Sequence, residues 1–361
     1  MEKVTVKSRD MKNLYKYREH LCKKPSLRCL FLELTDKCNL KCLHCGSRCD
    51  GGNRHFLDTD LIQKSLIDIS RDFSKNHYMI CLTGGEPLLH PDFDSIVERI
   101  NALNIPWGMT TNGTLIDKKM AEKLKLLNMA SISISLDGLE ESHEWLRQTR
   151  GCFGITVNAI RFLKEAGHSV QVTTAIHKKN ICELDELYDL MRQLQVDSWR
   201  VINIEPIGRA LNSDDLLLSH EQIIQLLNYI REKRFQNDNP LDVCYGCSHY
   251  LSFEYEREVR DFYFQCGAGT LVASIFWNGD IGACLDIERR PELVQGNIGR
   301  DRLFDVWTHR FQVFRRDRTL LCDTCLNCNE REFCGGDSIH TWDFSNNKPR
   351  ICLISSLKKE E

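Results

Sequence analysis

Four cysteines fall within thirteen residues, CNLKCLHCGSRCD, at Cys38, Cys42, Cys45 and Cys49. Thiols at this density bind metal: four thiolates close an iron–sulfur cluster or a structural zinc site. A catalytic cluster needs three protein ligands and one open iron. Cys38, Cys42 and Cys45 form CxxxCxxC, a compact loop able to hold three corners of a cubane and leave the fourth to a small molecule. The rival grouping of Cys42, Cys45 and Cys49 reads CxxCxxxC. Zinc is the competing metal, although its sites more readily use two CxxC pairs.

A second set occupies the last third of the chain: Cys266, Cys284, Cys322, Cys325, Cys328, Cys334 and Cys352, preceded by Cys244 and Cys247. These nine thiols exceed what two clusters need at four thiolates each, with a pair of zinc ribbons as the alternative. Cys22, Cys29, Cys81, Cys152 and Cys182 stand apart and are expected to be small buried hydrophobes. Eighteen cysteines would be unusual as a disulfide set in a cytosolic chain, where reducing thiols keep structural disulfides rare.

Other residue groups suit ligand binding. In Gly84-Gly85-Glu86-Pro87 the glycines allow a sharp turn that brings backbone close to a ligand, and Glu86 offers a carboxylate to an ammonium. Asn112 in TTNGT, and Ser135 and Asp137 in SLDG, carry short polar side chains that serve either hydroxyl binding or ordinary turns. NIEPIGR sets Glu205 and Arg209 either toward a cavity mouth or into a buried ion pair, and Asp280 in the NGD turn is structural.

These groups sit on a regular scaffold. Short β-branched runs alternate with helix-period segments: LRCLFLELT, YMICLTGG, PWGMTTNG, SISISLDG, SVQVTTAIHK and SWRVINIEPIG read as strands. TDLIQKSLIDISRDF, PDFDSIVERINAL, DKKMAEKLKLL, GITVNAIRFLKEAG, CELDELYDLMRQLQ and SHEQIIQLLNYIREKR read as the helices between and after them. Six strand–helix units in series make a parallel sheet, either doubly wound or curling toward a barrel, with chemistry at the C-terminal ends of the strands. The cysteine knot, GGEP, TTNGT and SLDG all fall at such ends. From about residue 236 the alternation gives way to short Cys- and Gly-punctuated pieces, which suggests a second domain held by metal more than by a large core. The expected divisions are an N-terminal segment 1–27, a core 28–236 and a Cys-rich domain 237–361.

A formal charge of -3 gives no electrostatic case for nucleic acid. The start MEKVTVKSRDMK has no apolar signal region, and no run approaches the roughly 18 apolar residues that span a bilayer. The expectation is a soluble cytoplasmic protein without membrane or nucleic-acid partners.

CNLKCLHC after a first strand, with GGEP after the second, resembles the radical S-adenosylmethionine (SAM) enzymes. The resemblance implies α/β architecture as a partial (β/α)6 TIM-like barrel followed by a small Cys-rich iron–sulfur domain. It also implies that Cys38, Cys42 and Cys45 bind a [4Fe–4S] cluster whose open iron takes SAM, and that Cys49 does not. In this family the reduced cluster cleaves SAM to a 5′-deoxyadenosyl radical. Glu86, with Gly84, Gly85 and Pro87, would grip the amino group of SAM, Asn112, Ser135 and Asp137 its ribose, and Arg147 its carboxylate, Arg147 being preferred to Arg150 by its spacing to SLDG. His44 stands where the family often has an aromatic residue near adenine, and an imidazole stacks there as well.

The tail resembles the SPASM extension, whose cysteines hold two auxiliary [4Fe–4S] clusters. Cys325, Cys328 and Cys334 meet the pattern CxxCxxxxxCxxxC, but its last position is Ser338. The resemblance then assigns Cys325, Cys328, Cys334 and Cys352 to an outer cluster. Cys266 and Cys284 go to an inner one, with Cys322 as substitute ligand and Cys244 or Cys247 as the fourth. Asp286, two residues after Cys284, is a candidate base, since similar sulfatase-maturing enzymes use an acid next to this cysteine.

The function implied is hydrogen abstraction from a peptide or protein, giving a crosslinked, oxidised or epimerised residue, as in maturases of ribosomally made peptides. A reductant such as flavodoxin or ferredoxin would supply electrons. The 27 residues before the first strand are too few for a separate leader-binding winged helix. One alternative is a sulfatase-type maturase that oxidises Cys or Ser to formylglycine. A non-catalytic iron–sulfur protein that carries electrons or senses redox state is the alternative of another class.

Overall fold

The computed structural model describes residues 8–74, 77–236 and 240–357. A helix, α1 (Ser8–Lys23), precedes six parallel strands: β1 (Cys29–Glu33), β2 (Met79–Thr83), β3 (Trp107–Thr111), β4 (Ser131–Ser135), β5 (Val170–Ile176) and β6 (Ser198–Asn203). The helices are α2 (Thr59–Asp72), α3 (Phe93–Ala102), α4 (Lys118–Leu126), α5 (Glu140–Arg147), α6 (Cys152–Glu165), α7 (Leu184–Gln193) and α8 (His220–Phe235). Their starts are written into the sequence. Asp58 accepts from Leu61 N at 2.9 Å, Asp117 accepts from Met120 N at 2.7 Å, and Ser219 with Gln222 forms a reciprocal capping box.

The strands lie in sequence order, β1 to β6, each parallel to the next. Side chains alternate across the sheet. Leu30, Leu32, Ile80, Leu82, Ile132, Ile134, Val172, Trp199 and Val201 are buried in the core with apolar residues of the surrounding helices. Cys81, Thr110, Ser133, Gln171, Thr173 and Arg200 occupy the other face, which lines the lumen of a partial (β/α)6 barrel. That face is polar: Ser133 and Thr173 hydroxyls meet at 2.9 Å, and Gln171 Nε2 donates to Ser133 at 3.1 Å.

The sheet does not stop at β6. β7 (Asp242–Tyr245) adds parallel to β6, with the expected boundary after residue 236 falling beside 237–239, outside the described residues. On the opposite edge β8 (Val272–Ile275) adds parallel to β1, and β9 (Asp280–Gly282) and β10 (Gly296–Asn297) follow antiparallel. The Cys-rich segment is thus hydrogen-bonded into the barrel's first edge. No helix among the described residues is long and apolar enough to cross a membrane.

One buried pair organises residues 247–264. Glu256 and Arg260, both fully buried, pair at 2.5 Å, and Glu256 also accepts from Phe264 N at 2.9 Å. Arg260 donates to the carbonyls of Cys247 and His249 at 2.8 and 2.7 Å. Arg260→Met leaves a buried carboxylate without its cation, which costs roughly 3–5 kcal/mol. Thermal unfolding should show a lowered midpoint, and an unchanged midpoint would deny the pair this role.

Candidate active site

The cavity is built from the C-terminal ends of neighbouring strands. After β2 the chain runs hard against the segment that follows β1: Gly85 N donates to Thr35 O at 2.8 Å and Glu86 N to Lys37 O at 3.0 Å. Gly84 has φ +151°, and a Cβ there would stand 2.5 Å from Thr35 O; one on Gly85 would overlap Lys37 O. Only glycine fits this approach. It swings the fully buried Glu86 beneath the cysteine loop, where its carboxylate accepts from Thr111 Oγ1 at 2.8 Å and Asn112 N at 3.0 Å. Burial pushes the Glu86 carboxyl up to about 7 against these hydrogen bonds.

Cys38, Cys42, Cys45 and Cys49 pack as one cluster with Leu40 and Cys152. Leu40 N donates to Cys38 Sγ at 3.4 Å, and Arg147 Nη1 approaches Cys42 Sγ at 3.4 Å. The four thiols are not equivalent. A hydrogen bond from Cys49 draws the Cys45 thiol down to about 6, while the same bond holds the proton on Cys49. Arg209 fastens the loop from beyond β6, donating to Cys42 O at 2.8 Å and Cys49 O at 2.7 Å.

Asp137 and Arg147, expected at separate groups of a ligand, form an ion pair with each other. Asp137 also accepts from Ala175 N at 2.9 Å. Burial opposes charge on both, but their mutual attraction prevails, so the Asp137 carboxyl is lowered and the Arg147 guanidinium raised. Asn112 donates to Asn39 Oδ1 at 2.9 Å, and Ser135 ends β4 on the lumen side opposite Thr173. His44 Nδ1 and Arg147 Nε have no hydrogen-bond partner among the described residues. Burial takes the His44 imidazole down to about 4, so it is neutral near pH 7.

Among the C-terminal cysteines, Cys322, Cys325, Cys328, Cys334 and Cys352 form one neighbourhood, with Cys322 beside Cys325. Cys266 and Cys284 form another. Cys322 is therefore grouped with the outer set, not with the inner pair it was expected to complete. Cys244 sits on β7 opposite Arg200, and Cys247 Sγ contacts Asn203 O at 3.6 Å. Ser338, where the pattern has cysteine, donates to Ser248 O.

A polar relay that sequence reasoning missed joins the barrel to the C-terminal segment. Glu205 pairs with His249 Nε2 at 2.7 Å and hydrogen-bonds His340 Nε2, while Asp337 holds His249 Nδ1 at 2.6 Å. Burial works against charge on His249 and His340, but Asp337 and Glu205 raise the first to about 10, and Glu205 raises the second to about 9. Glu205 had a signal in NIEPIGR, whereas isolated histidines in an irregular segment have none. Asp286 stands beside this relay: its Oδ1 lies 3.3 Å from where a Cβ on Gly46 would be. Desolvation by the surrounding protein raises its carboxyl, with His340 opposing.

Comparison with known proteins agrees with this layout. The family model of the radical SAM superfamily matches residues 32–191, and that of the SPASM iron–sulfur cluster-binding domain matches residues 266–329. The chain belongs to the radical SAM superfamily, carries a SPASM domain, and is an enzyme of that class. It is 28% identical over 351 residues to the AdoMet-dependent heme synthase of Methanosarcina barkeri, covering 92% of this chain and 98% of that protein. It is 29% identical over 313 residues to mycofactocin maturase MftC of Mycolicibacterium smegmatis, covering 85% and 77%. The crystal structure of Streptococcus suis SuiB bound to S-adenosylmethionine superposes with a TM-score of 0.74 at 20% identity, covering 96% of this chain and 83% of that one. SuiB bound to its precursor peptide SuiA gives 0.75.

With this class come SAM, a [4Fe–4S] cluster in the barrel and auxiliary iron–sulfur clusters in the SPASM domain. The residues present suit the first two. Three cysteines of one loop surround a buried carboxylate and guanidinium, with unpartnered polar atoms on His44 and Arg147 at the same place. Iron and acid-labile sulfide after anaerobic reconstitution should fall by about four irons per chain in a Cys38→Ala, Cys42→Ala, Cys45→Ala variant. Cys49→Ala should keep that iron, and its loss would bring Cys49 into the ligand set.

Proposed function

We propose that this enzyme cleaves SAM reductively and abstracts a hydrogen atom from a peptide or protein, giving a crosslinked, oxidised or epimerised residue. The observation that carries the SAM part is Glu86, a fully buried carboxylate set under the cysteine loop by two glycines that admit no side chain. In this reading Cys38, Cys42 and Cys45 are the cluster ligands, and Glu86 takes the amino group of SAM. Asn112 and Ser135 face its ribose, His44 stacks on its adenine, and Arg147, oriented by Asp137, meets its carboxylate. Bound there, the reduced cluster and SAM supply a 5′-deoxyadenosyl radical. The C-terminal cysteines would hold auxiliary clusters that could take up an electron from the substrate or bind it, Asp286 would take the substrate's proton, and a flavodoxin or ferredoxin would supply electrons.

Similarity to the mycofactocin maturase, and to SuiB in a structure that includes its precursor peptide, supports a peptide substrate. A second reading, modification of a tetrapyrrole, is favoured by the match across 98% of a heme synthase. Deuterium transfer separates them. On the peptide reading, label from a deuterated residue should enter 5′-deoxyadenosine, whereas entry only from a deuterated porphyrin would establish the second.

Glu86→Gln tests the SAM site without either substrate. Losing a charge-assisted hydrogen bond should slow 5′-deoxyadenosine formation about tenfold or more, with iron content unchanged. An unaltered rate would remove Glu86 from SAM binding.

A further inference from the structure

Arg200 is the one arginine of β6, and the alternation of that strand decides where it points. Trp199 and Val201 are fully buried among the helices, so Arg200 lies on the lumen face. It is exposed to solvent there, deep in the chain sequence of a strand whose neighbours are covered. Its register neighbours are Thr173 on β5 and Cys244 on β7, and Thr173 in turn pairs with Ser135 at the end of β4. A row of lumen side chains thus leads from the proposed SAM ribose contact to this guanidinium.

The side chain is held, not loose. Nη2 donates to Gly246 O at 2.7 Å, and the stem lies over the bare Cα of Gly246, where any Cβ would overlap it. Among the described residues Arg200 pairs with no carboxylate. It shares the lumen face with Cys81 of β2. A fixed, solvent-reached guanidinium without an anion, on the face that lines the lumen, is an arrangement for recognising an anionic group on a bound molecule. Its planar fork suits a carboxylate in particular.

We infer that Arg200 is a specificity-determining residue that binds a carboxylate of the substrate and so fixes which part of it faces the SAM site. This rests on the lumen being the substrate cavity, as the proposed function requires. The carboxylate belongs either to an acidic peptide or to a propionate-bearing tetrapyrrole, and the chemistry at Arg200 is the same for both.

The test uses the reconstituted, SAM-bound enzyme under anaerobic conditions and probe pairs that differ only in charge. One pair is the acetylated tripeptide amide Ala-Glu-Ala and its Gln counterpart, followed by saturation-transfer NMR. The other is coproporphyrin III and its tetra-amide, followed by fluorescence quenching. In one pair the wild-type enzyme should bind the acid about tenfold more tightly than the neutral form. Arg200→Gln should abolish that preference and Arg200→Lys should keep part of it, and the pair that responds identifies the source of the carboxylate. Equal binding of acid and neutral forms, no binding of either acid, or a preference that survives Arg200→Gln overturns the inference. Formation of 5′-deoxyadenosine by the wild-type enzyme with dithionite is measured alongside. Its absence would sink the proposed function while the outcome at Arg200 is still read from binding.

Discussion

The active-site end of the barrel depends on one close approach, that of Gly84 and Gly85 to the backbone of residues 35–37. Two backbone hydrogen bonds there join the segment after β1 to the turn after β2, and the missing side chains let the two meet. The cysteine loop and Glu86 are consequently parts of one rigid unit and not of two independent loops. Glu86 extends the unit to a third strand through Thr111 and Asn112. Positioning of this kind lets a static protein frame direct the chemistry of a bound cofactor, because orientation and exclusion of water are what the chain contributes.

Electrostatics then separate what is settled within the protein from what awaits a ligand. Burying an ion pair costs desolvation that attraction repays only with good geometry and further hydrogen bonds. Asp137 and Arg147 meet much of that condition through Ala175 N and Cys42, which leaves Arg147 Nε for a ligand. Glu205 meets it with two histidines. Arg209 meets it differently, spending its donors on carbonyls of the cysteine loop. Arg200 does not: it is held by one carbonyl and otherwise open. A Lys at 209 would carry the same charge yet could not span Cys42 O and Cys49 O with one planar group.

Much of this was legible in the sequence because parallel strands and their crossover helices have distinct periods. All six expected strands and the helices between them form, and Asp58, Asp117 and Ser219 cap the starts of three helices. The α1 helix was not read from the sequence, where charged residues outnumber the apolar Leu14, Tyr15, Leu21 and Cys22 that recur at helical spacing, and α5 was seen only as the motif HEWLRQTRG. The strands β7 to β10 are two to four residues long, too short for periodicity to register, and β8 finds its place only by pairing with distant β1. Arg200 could have been found: SWRVIN alternates, and Trp199 and Val201 on one face put Arg200 on the other.

That pairing of β8 with β1 ties Cys266 and Cys284 to the strand that leads into the cysteine loop. Cys266 precedes β8 and Cys284 follows β9, so both are hung from the edge of the strand that ends at the cysteine loop. After β9 the chain returns across that loop: Arg289 pairs with Glu33 at the end of β1 at 2.5 Å, and Asp286 comes up to Gly46. From the other edge, Glu205 after β6 grips His249 and His340 of the Cys-rich segment. The C-terminal segment is therefore fastened to both edges of the open barrel, by β8 on β1 and by Glu205 after β6. On the proposed function a substrate would lie between the cysteine loop, Asp286 and the face that carries Arg200, whose separation the fold sets.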